Sequence, residues 1–339
     1  MFHQSEKLTS LDVSRFDTNN VIDMSYMFAG CILLKILDVS QFKTQNVKDM
    51  SFMFQYLRGV EVLDVSHFDT RNVVSMLGMF QYCNMVEKLE VSNFNTENVK
   101  DMAYMFQYGT YLTSLDVSNF RTNKVTDMIG MFAGLPRITS LDLRNFVTSN
   151  VEDMSLMFKD CISLEYVEFS SFDTSKVTDM NNMFSRCLKL PKLNLASFDT
   201  KNVENMASMF ESCELVSSLD ISRFTTGEVT SMKSMFSSMT SLANLDISKF
   251  DTKYVRDISK MFYHCKLLTS IDISQFNTKA MLDMSYLFTN CSLITSLSLN
   301  NFDTSRVTNM ALMFSNCSSL IYLDISTFST ENVKSFSQI

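Results

Sequence analysis

A phenylalanine returns every 26 residues along this chain, from Phe16 and Phe42 to Phe328, and a threonine follows two residues after each, from Thr18 to Thr330. A strict internal period of this length constrains the fold before any local propensity is consulted. With Leu11 as position 1, units begin at 11, 37, 63, 89, 115, 141, 167, 193, 219, 245, 271, 297 and 323, with no insertion or deletion. Residues 1–10 form a partial unit and the last unit is incomplete. A 26-residue unit cannot bury its apolar side chains alone, so neighbouring units must stack and share one core.

The consensus reads Leu-Asp-Val-Ser-x-Phe-Asp-Thr-x-Asn-Val-x-Asp-Met-Ser-x-Met-Phe-x-x-Cys-x-x-Leu-x-x. Leu and Val at positions 1 and 3 alternate with a period of two, which predicts a short strand with one buried face. Met24, Met27, Phe28 and Cys31 are spaced i, i+3, i+4, i+7, which predicts a short helix with those four on one side. Asp23 or Ser25 would be its N-cap. The expected fold is therefore an α/β repeat solenoid, leucine-rich-repeat-like, with one strand and one helix in each of about thirteen coils. Strands about 4.8 Å apart would make it roughly 60 Å long. Residues 1–339 are expected to form a single domain without a linker.

Between the predicted elements lies a polar bend in which Ser, Asp and Asn supply turn chemistry. That explains a composition of only 7 Gly and 2 Pro. Most of the 26 Met and 29 Phe fall in repeat core columns. A net charge of −8 without a basic stripe excludes the surface that nucleic acid requires. No apolar run is long enough to insert in a membrane, and the start, Met1-Phe2-His3-Gln4, has neither the basic residues nor the apolar stretch of an export signal. Met1 and Phe2 fill positions 17 and 18 of a partial unit, and Ile339 falls at position 17 of the last. The chain is thus expected to be part of a longer product or to have its ends covered.

The stretch Met27-Phe28-Ala29-Gly30-Cys31-Ile32-Leu33-Leu34-Lys35-Ile36-Leu37-Asp38-Val39 follows the Phe-x-x-Cys-x-x-Leu-x-x-Leu-x-Val pattern and resembles BspA-like leucine-rich repeats. The 26-residue form, with Phe-Asp-Thr-x-Asn-Val-x-Asp-Met after the strand, is similar to the bacterial surface-protein and Mycoplasma-lipoprotein type of repeat over the whole chain. The resemblance implies a leucine-rich-repeat-type solenoid, surface display, adhesion or protein–protein contact, and no enzyme activity.

All eight cysteines (Cys31, Cys83, Cys161, Cys187, Cys213, Cys265, Cys291, Cys317) occupy position 21, where other units carry Leu57, Gly109, Leu135 and Met239. Such exchange marks a small core residue, and free thiols fit a reducing, cytoplasmic setting, whereas the resemblance points to the cell surface. The three histidines, His3, His67 and His264, share no column, so spacing assembles no metal site or catalytic dyad; no cofactor motif is present either. Position 2 is acidic in eleven of thirteen units (Asp12, Asp38, Asp64, Glu90, Asp116, Asp142, Glu168, Asp220, Asp246, Asp272, Asp324). This column is either an acidic face for cations or a basic partner, or a set of local hydrogen bonds to the Ser at position 4. The threonines at position 8 suggest an ice-binding array, but charged flanks such as Lys43, Arg71 and Glu97 argue for buried hydroxyls bonded to the next coil's backbone.

Positions 16 and 20 are expected to lie i, i+4 on the outward side of the helix. There the first four units carry Tyr26, Phe52 and Tyr104, and Tyr56, Tyr82 and Tyr108, an aromatic stripe confined to the N-terminal third. Clustered aromatics of this kind anchor interfaces, or serve local packing. The expected function is a non-enzymatic scaffold binding an unidentified protein; the alternative is a structural spacer that self-associates end to end.

Overall fold

The computed structural model describes residues 1–337, and the chain divides into two compact units, Met1–Asp173 and Thr174–Ile339. In each, successive 26-residue coils lie on one another in register. In the first unit, strand β1 (Ser140–Asp142) pairs in parallel with β2 (Tyr166–Glu168), setting Leu141 opposite Val167. In the second, β3 (Ser296–Ser298) pairs in parallel with β4 (Tyr322–Asp324). Strand pairing thus runs over positions 26 to 2, one residue earlier than the alternation predicts. Among the described residues it reaches strand length in these four coils only.

A more regular parallel contact runs through position 13. Asp23, Asp49, Ser75, Asp101, Asp127 and Asp153 bridge successively in the first unit, and Asp179, Asn205, Ser231, Asp257, Asp283, Asn309 and Ser335 in the second.

The predicted helix is absent: the described residues contain no α-helix. Positions 16 and 20 are left-handed in every full coil, for instance Tyr26 (φ 54°) and Gly30 (φ 77°), Phe52 (56°) and Tyr56 (57°), and Ser208 (55°) and Ser212 (56°). A left-handed residue at every fourth position breaks the continuous i→i−4 ladder of a right-handed helix. Consecutive tight turns replace it. Met27 N–H donates to Met24 O (3.3 Å), Ala29 N–H to Tyr26 O (3.2 Å) and Cys31 N–H to Phe28 O (3.2 Å). The intervening amides leave the coil: those of Met24, Tyr26, Phe28 and Gly30 donate to Asp49, Ser51, Met53 and Gln55 of the next coil at 2.8–2.9 Å. A helix would spend those N–H groups internally and leave the coil-to-coil contact without hydrogen bonds. The left-handed conformation costs an L-residue about 1 kcal/mol, which one net hydrogen bond of similar size offsets. Asp23 is correspondingly not a helix cap; its Oδ1 accepts the Ser25 N–H at 2.8 Å and shapes the first turn.

The i, i+3, i+4, i+7 set still faces inward, because a chain of four-residue turns returns the same positions to one side. Met24, Met27, Phe28 and Cys31 are all buried. Phe28, Phe54, Phe80, Phe106, Phe132 and Phe158 stack in the first unit with centroids 5.7–6.0 Å apart. Phe184, Phe210, Phe236, Phe262, Phe288 and Phe314 do so in the second at 5.5–6.1 Å.

Except for the exposed Thr330, the position-8 threonines are buried, and they clamp neighbouring coils. Thr18 Oγ1 donates to Lys43 O (3.0 Å) and accepts the Lys43 N–H (2.7 Å). The same pair of bonds links Thr44 to Asp69, Thr96 to Arg121 and Thr122 to Val147. In the second unit it links Thr174 to Asp199 and Thr304 to Ser329. The hydroxyl thereby stands in for a strand partner where the polar bend has none.

Candidate functional site

With the interior committed to stacking, the side chains left open are those of the outward columns. Tyr26, Phe52, Tyr56, Tyr82, Tyr104 and Tyr108 all occupy left-handed positions, so they project from turns and not from a helix face. The structure brings five of them together in two stacks and leaves Tyr104, separated from Phe52 by Gly78, without a ring partner among the described residues. Tyr26 and Phe52 stack at 4.9 Å; Tyr56, Tyr82 and Tyr108 stack at 4.5 and 4.7 Å. Glycine ends these stacks: a Cβ on Gly134 would lie 2.3 Å from Tyr108 Cδ1, and one on Gly78 would lie 2.4 Å from Phe52 Cε1. The last ring of each stack therefore folds over a neighbour that lacks a side chain, as Tyr104 does over Gly130. Except for the more open Tyr26, the six rings are half-buried. Burial, followed by the neighbouring Tyr108 and Tyr56, raises the Tyr82 phenol above its ordinary value. The Arg58 guanidinium lies over the Tyr56 and Tyr82 rings at 5.1 and 5.6 Å.

Beyond the tyrosine column the first unit exposes aliphatic side chains. Ile36 and Val62 are 77% and 79% exposed, and Leu33 and Tyr111 lie open nearby in the same stretch of coil. Glu61, Val62, Met85, Glu87, Lys88 and Tyr111 line a cleft of about 560 Å³. Arg137 sits over Tyr111 at 3.9 Å. Sequence reasoning missed this cleft because its residues come from positions 23, 25 and 26, which look like linker. The detectable signal was Ile36 and Val62 at position 26, where later units carry Lys88, Ser114 and Ser140.

The acidic column is exposed or half-exposed throughout, from Asp12, Asp38, Asp64, Glu90, Asp116 and Asp142 to Asp220, Asp246, Asp272 and Asp324. Its carboxylates accept hydrogen bonds two residues on. Asp12 and Asp38 take the amides of Ser14 and Ser40, and Asp272 and Asp324 those of Ser274 and Ser326. Asp64, Asp116, Asp220 and Asp246 take both hydroxyl and amide of the following serine. Those bonds hold these carboxyls below the usual range. Asp142 instead pairs with Arg144 at 2.9 Å.

A second acidic column, at position 13, runs the other way. Asp101 and Asp127 are half-buried neighbours, and desolvation raises both above the usual value. Among the described residues no group of three or more His, Cys, Asp or Glu is placed to hold a metal ion. Nor do the described residues contain a helix long and apolar enough to cross a membrane.

The eight thiols are free. Cys83, Cys213, Cys265 and Cys291 donate S–H to the carbonyl of the position-18 phenylalanine one coil back, at 3.0–3.3 Å. Burial pushes Cys161, Cys213 and Cys265 up to about 12, which removes the thiolate that reactivity requires. The histidines stay apart: His3 packs edge-on to Tyr26, His67 Nε2 meets Val39 O at 3.0 Å, and His264 meets Asn290 Nδ2 at 2.7 Å.

A family model described as a Mycoplasma protein of unknown function, DUF285, matches residues 1–61, 53–165, 135–243, 191–295 and 259–339. Among solved structures, a leucine-rich repeat protein from Bacteroides ovatus is 16% identical over 94% of this chain and 87% of that chain, with a TM-score of 0.38. A leucine-rich cell surface protein from Faecalibacterium prausnitzii is 15% identical over 90% of this chain and 79% of that chain, with a TM-score of 0.40. No curated protein matches the chain.

Proposed function

Taking as premise that the chain belongs to the DUF285 family of Mycoplasma proteins of unknown function, we propose that it is a non-enzymatic protein-interaction scaffold whose contact surface includes the aromatic columns and apolar cleft of the first unit. The observation that carries this reading is the exposure of Val62 and Tyr111 in that cleft and of Ile36 and Leu33 in the same two columns of the first coil. An open aliphatic cluster beside stacked aromatics costs solubility unless a partner covers it, and such patches mark binding surfaces. Glu61, Glu87 and Lys88 at its edge supply the polar rim that surrounds an interface core. Adhesion and surface display, which the sequence resemblance implies, are the finer form of the same proposal.

The test is partner recovery from the native source with wild type, with an Ile36→Ser, Val62→Ser, Tyr111→Ser variant, and with a Tyr56→Ser, Tyr82→Ser, Tyr108→Ser variant. Serine is a fair replacement for the tyrosines because Ser212 and Ser238 occupy the same left-handed column. A partner held by wild type and lost by either folded variant supports the reading. A partner held equally by all three removes this surface. Self-association of wild type with no partner favours the spacer alternative.

A further inference from the structure

In the second unit a structural column changes chemistry. Position 10 is normally Asn with a fixed task. Asn46, Asn72 and Asn98 donate Nδ2–H to the carbonyls of Asn19, Gln45 and Arg71 one coil back, and Asn202 and Asn332 do the same to Ser175 and Ser305. Four consecutive coils abandon it, carrying Glu228, Tyr254, Ala280 and Arg306. Each substitution gives up a coil-to-coil hydrogen bond, and four in a row with no structural gain point to a functional site.

These residues line a cleft of about 360 Å³ together with Glu204 and Arg256. Its base is firm: the position-12 amides of Thr230, Arg256 and Leu282 donate to the carbonyls of Glu204, Thr230 and Arg256 at 2.8–2.9 Å. Ala280 leaves a gap between Tyr254 and Arg306. Tyr254 is 47% exposed, with Lys253 Nζ 4.7 Å from its ring centroid. Glu204 and Glu228 stand in the earlier coils, Arg256 and Arg306 in the later ones. Among the described residues none of these four side chains forms an ion pair or a hydrogen bond within the chain. Charges of opposite sign are thus held apart across an aromatic ring and left for a ligand.

We propose that this cleft binds an extended peptide segment carrying a basic side chain against Glu204 and Glu228 and a carboxylate against Arg256 and Arg306, with Tyr254 packing on the stretch between. The proposal rests on the reading of the chain as a protein-interaction scaffold and names the partner chemistry for this face. From Glu228 to Arg306 is three coil spacings, about 14 Å at strand separation. An extended chain rises about 3.3 Å per residue, so the two charges belong about four residues apart. Arginine favours the carboxylate end because its planar fork grips both oxygens.

The probes are three peptides blocked at both ends, Lys-Ser-Ala-Ser-Glu, Lys-Ser-Ala-Ser-Lys and Glu-Ser-Ala-Ser-Glu, observed by saturation-transfer NMR with the intact chain. Wild type is expected to transfer at least threefold more signal to the Lys–Glu peptide than to either like-charged one. Arg256→Glu with Arg306→Glu, both in exposed positions, is expected to lose that preference and favour the Lys–Lys peptide. Equal signals from all three peptides, no signal from any, or an unchanged preference in the double variant overturns the proposal. Native partners recovered equally by wild type and this double variant would leave the scaffold reading standing while removing the cleft.

Discussion

Replacing Thr122 by valine asks whether the position-8 hydroxyl joins the coils or merely fills space. Thr122 is fully buried, donates to Val147 O at 2.9 Å and accepts the Val147 N–H at 2.7 Å. Valine matches its shape and removes both bonds. Two hydrogen bonds contribute about 2 kcal/mol net, and a donor or acceptor left unpaired away from water costs about 1 kcal/mol or more each. A loss of about 2–4 kcal/mol is therefore expected. Serine keeps both bonds and removes one methyl, worth about 1 kcal/mol. Stability in a stacked repeat is partly local, so the clearest assay is hydrogen exchange at the Val147 amide, with denaturant unfolding followed by circular dichroism alongside. Thr122→Val should raise exchange there about 30-fold or more for 2 kcal/mol, and Thr122→Ser less than tenfold. If valine costs no more than serine, the clamp is not a source of cohesion and the reasoning fails.

Gly134→Ala should destabilise by about 1–2 kcal/mol, because the residue is left-handed and its Cβ would meet the Tyr108 ring at 2.3 Å. Gly227→Ala, whose Cβ would meet nothing nearer than 3.9 Å, should be neutral or slightly stabilising in the same thermal melts. Asp127→Asn should stabilise at pH 7 by about 0.5–1 kcal/mol, since it removes a half-buried charge beside Asp101. Asn205 and Asn309 already fill this column elsewhere, donating to Asp179 and Asp283 at 3.1 Å. The raised carboxyl opposes folding only when ionised, so the gain should vanish below about pH 4; a gain that persists at pH 3 contradicts it. The buried thiols act at the other end of the scale. Cys161, Cys213 and Cys265 sit at about 12 in the folded chain, against about 8.5 unfolded. The unfolded chain therefore releases protons first, and stability should fall as pH rises from about 8.5 toward 12. A Cys213→Ala variant should show a shallower fall in melting temperature between pH 7 and 10, and a parallel curve refutes the assignment.

The register, the inward columns and the bonding of the threonines were all legible from spacing and from the rule that buried hydroxyls need partners. The helix was misread for a physical reason. Met24, Met27, Phe28 and Cys31 recur on one side in a helix and in a run of turns alike, so apolar spacing could not separate the two. The discriminating signal lay in the outward columns, where Gly30, Gly78, Gly130 and Gly134 share positions 16 and 20 with Asn182, Asn290, Asn316 and Asp160. These are the residue types that tolerate left-handed backbone; the tyrosines in the same columns concealed the pattern. Candidate sites were legible where one residue type clusters, as in the aromatic columns. They were hidden where the site is a departure from consensus, as at Glu228, Tyr254, Ala280 and Arg306. Residues far apart in the chain, such as those at positions 10 and 12 of five coils, meet only once the coils are laid on one another.

The left-handed columns have a further consequence. At positions 16 and 20 the backbone shape is dictated by amides that bond to the adjacent coil, so tyrosine, serine, lysine, leucine and glycine all accept the same conformation. Side-chain identity there is decoupled from folding, except at a glycine such as Gly78 or Gly134 that a ring of the preceding coil overhangs. The fold thus behaves as a line of type, in which letters spaced at the coil repeat are exchanged one by one while the bed that holds them keeps its form.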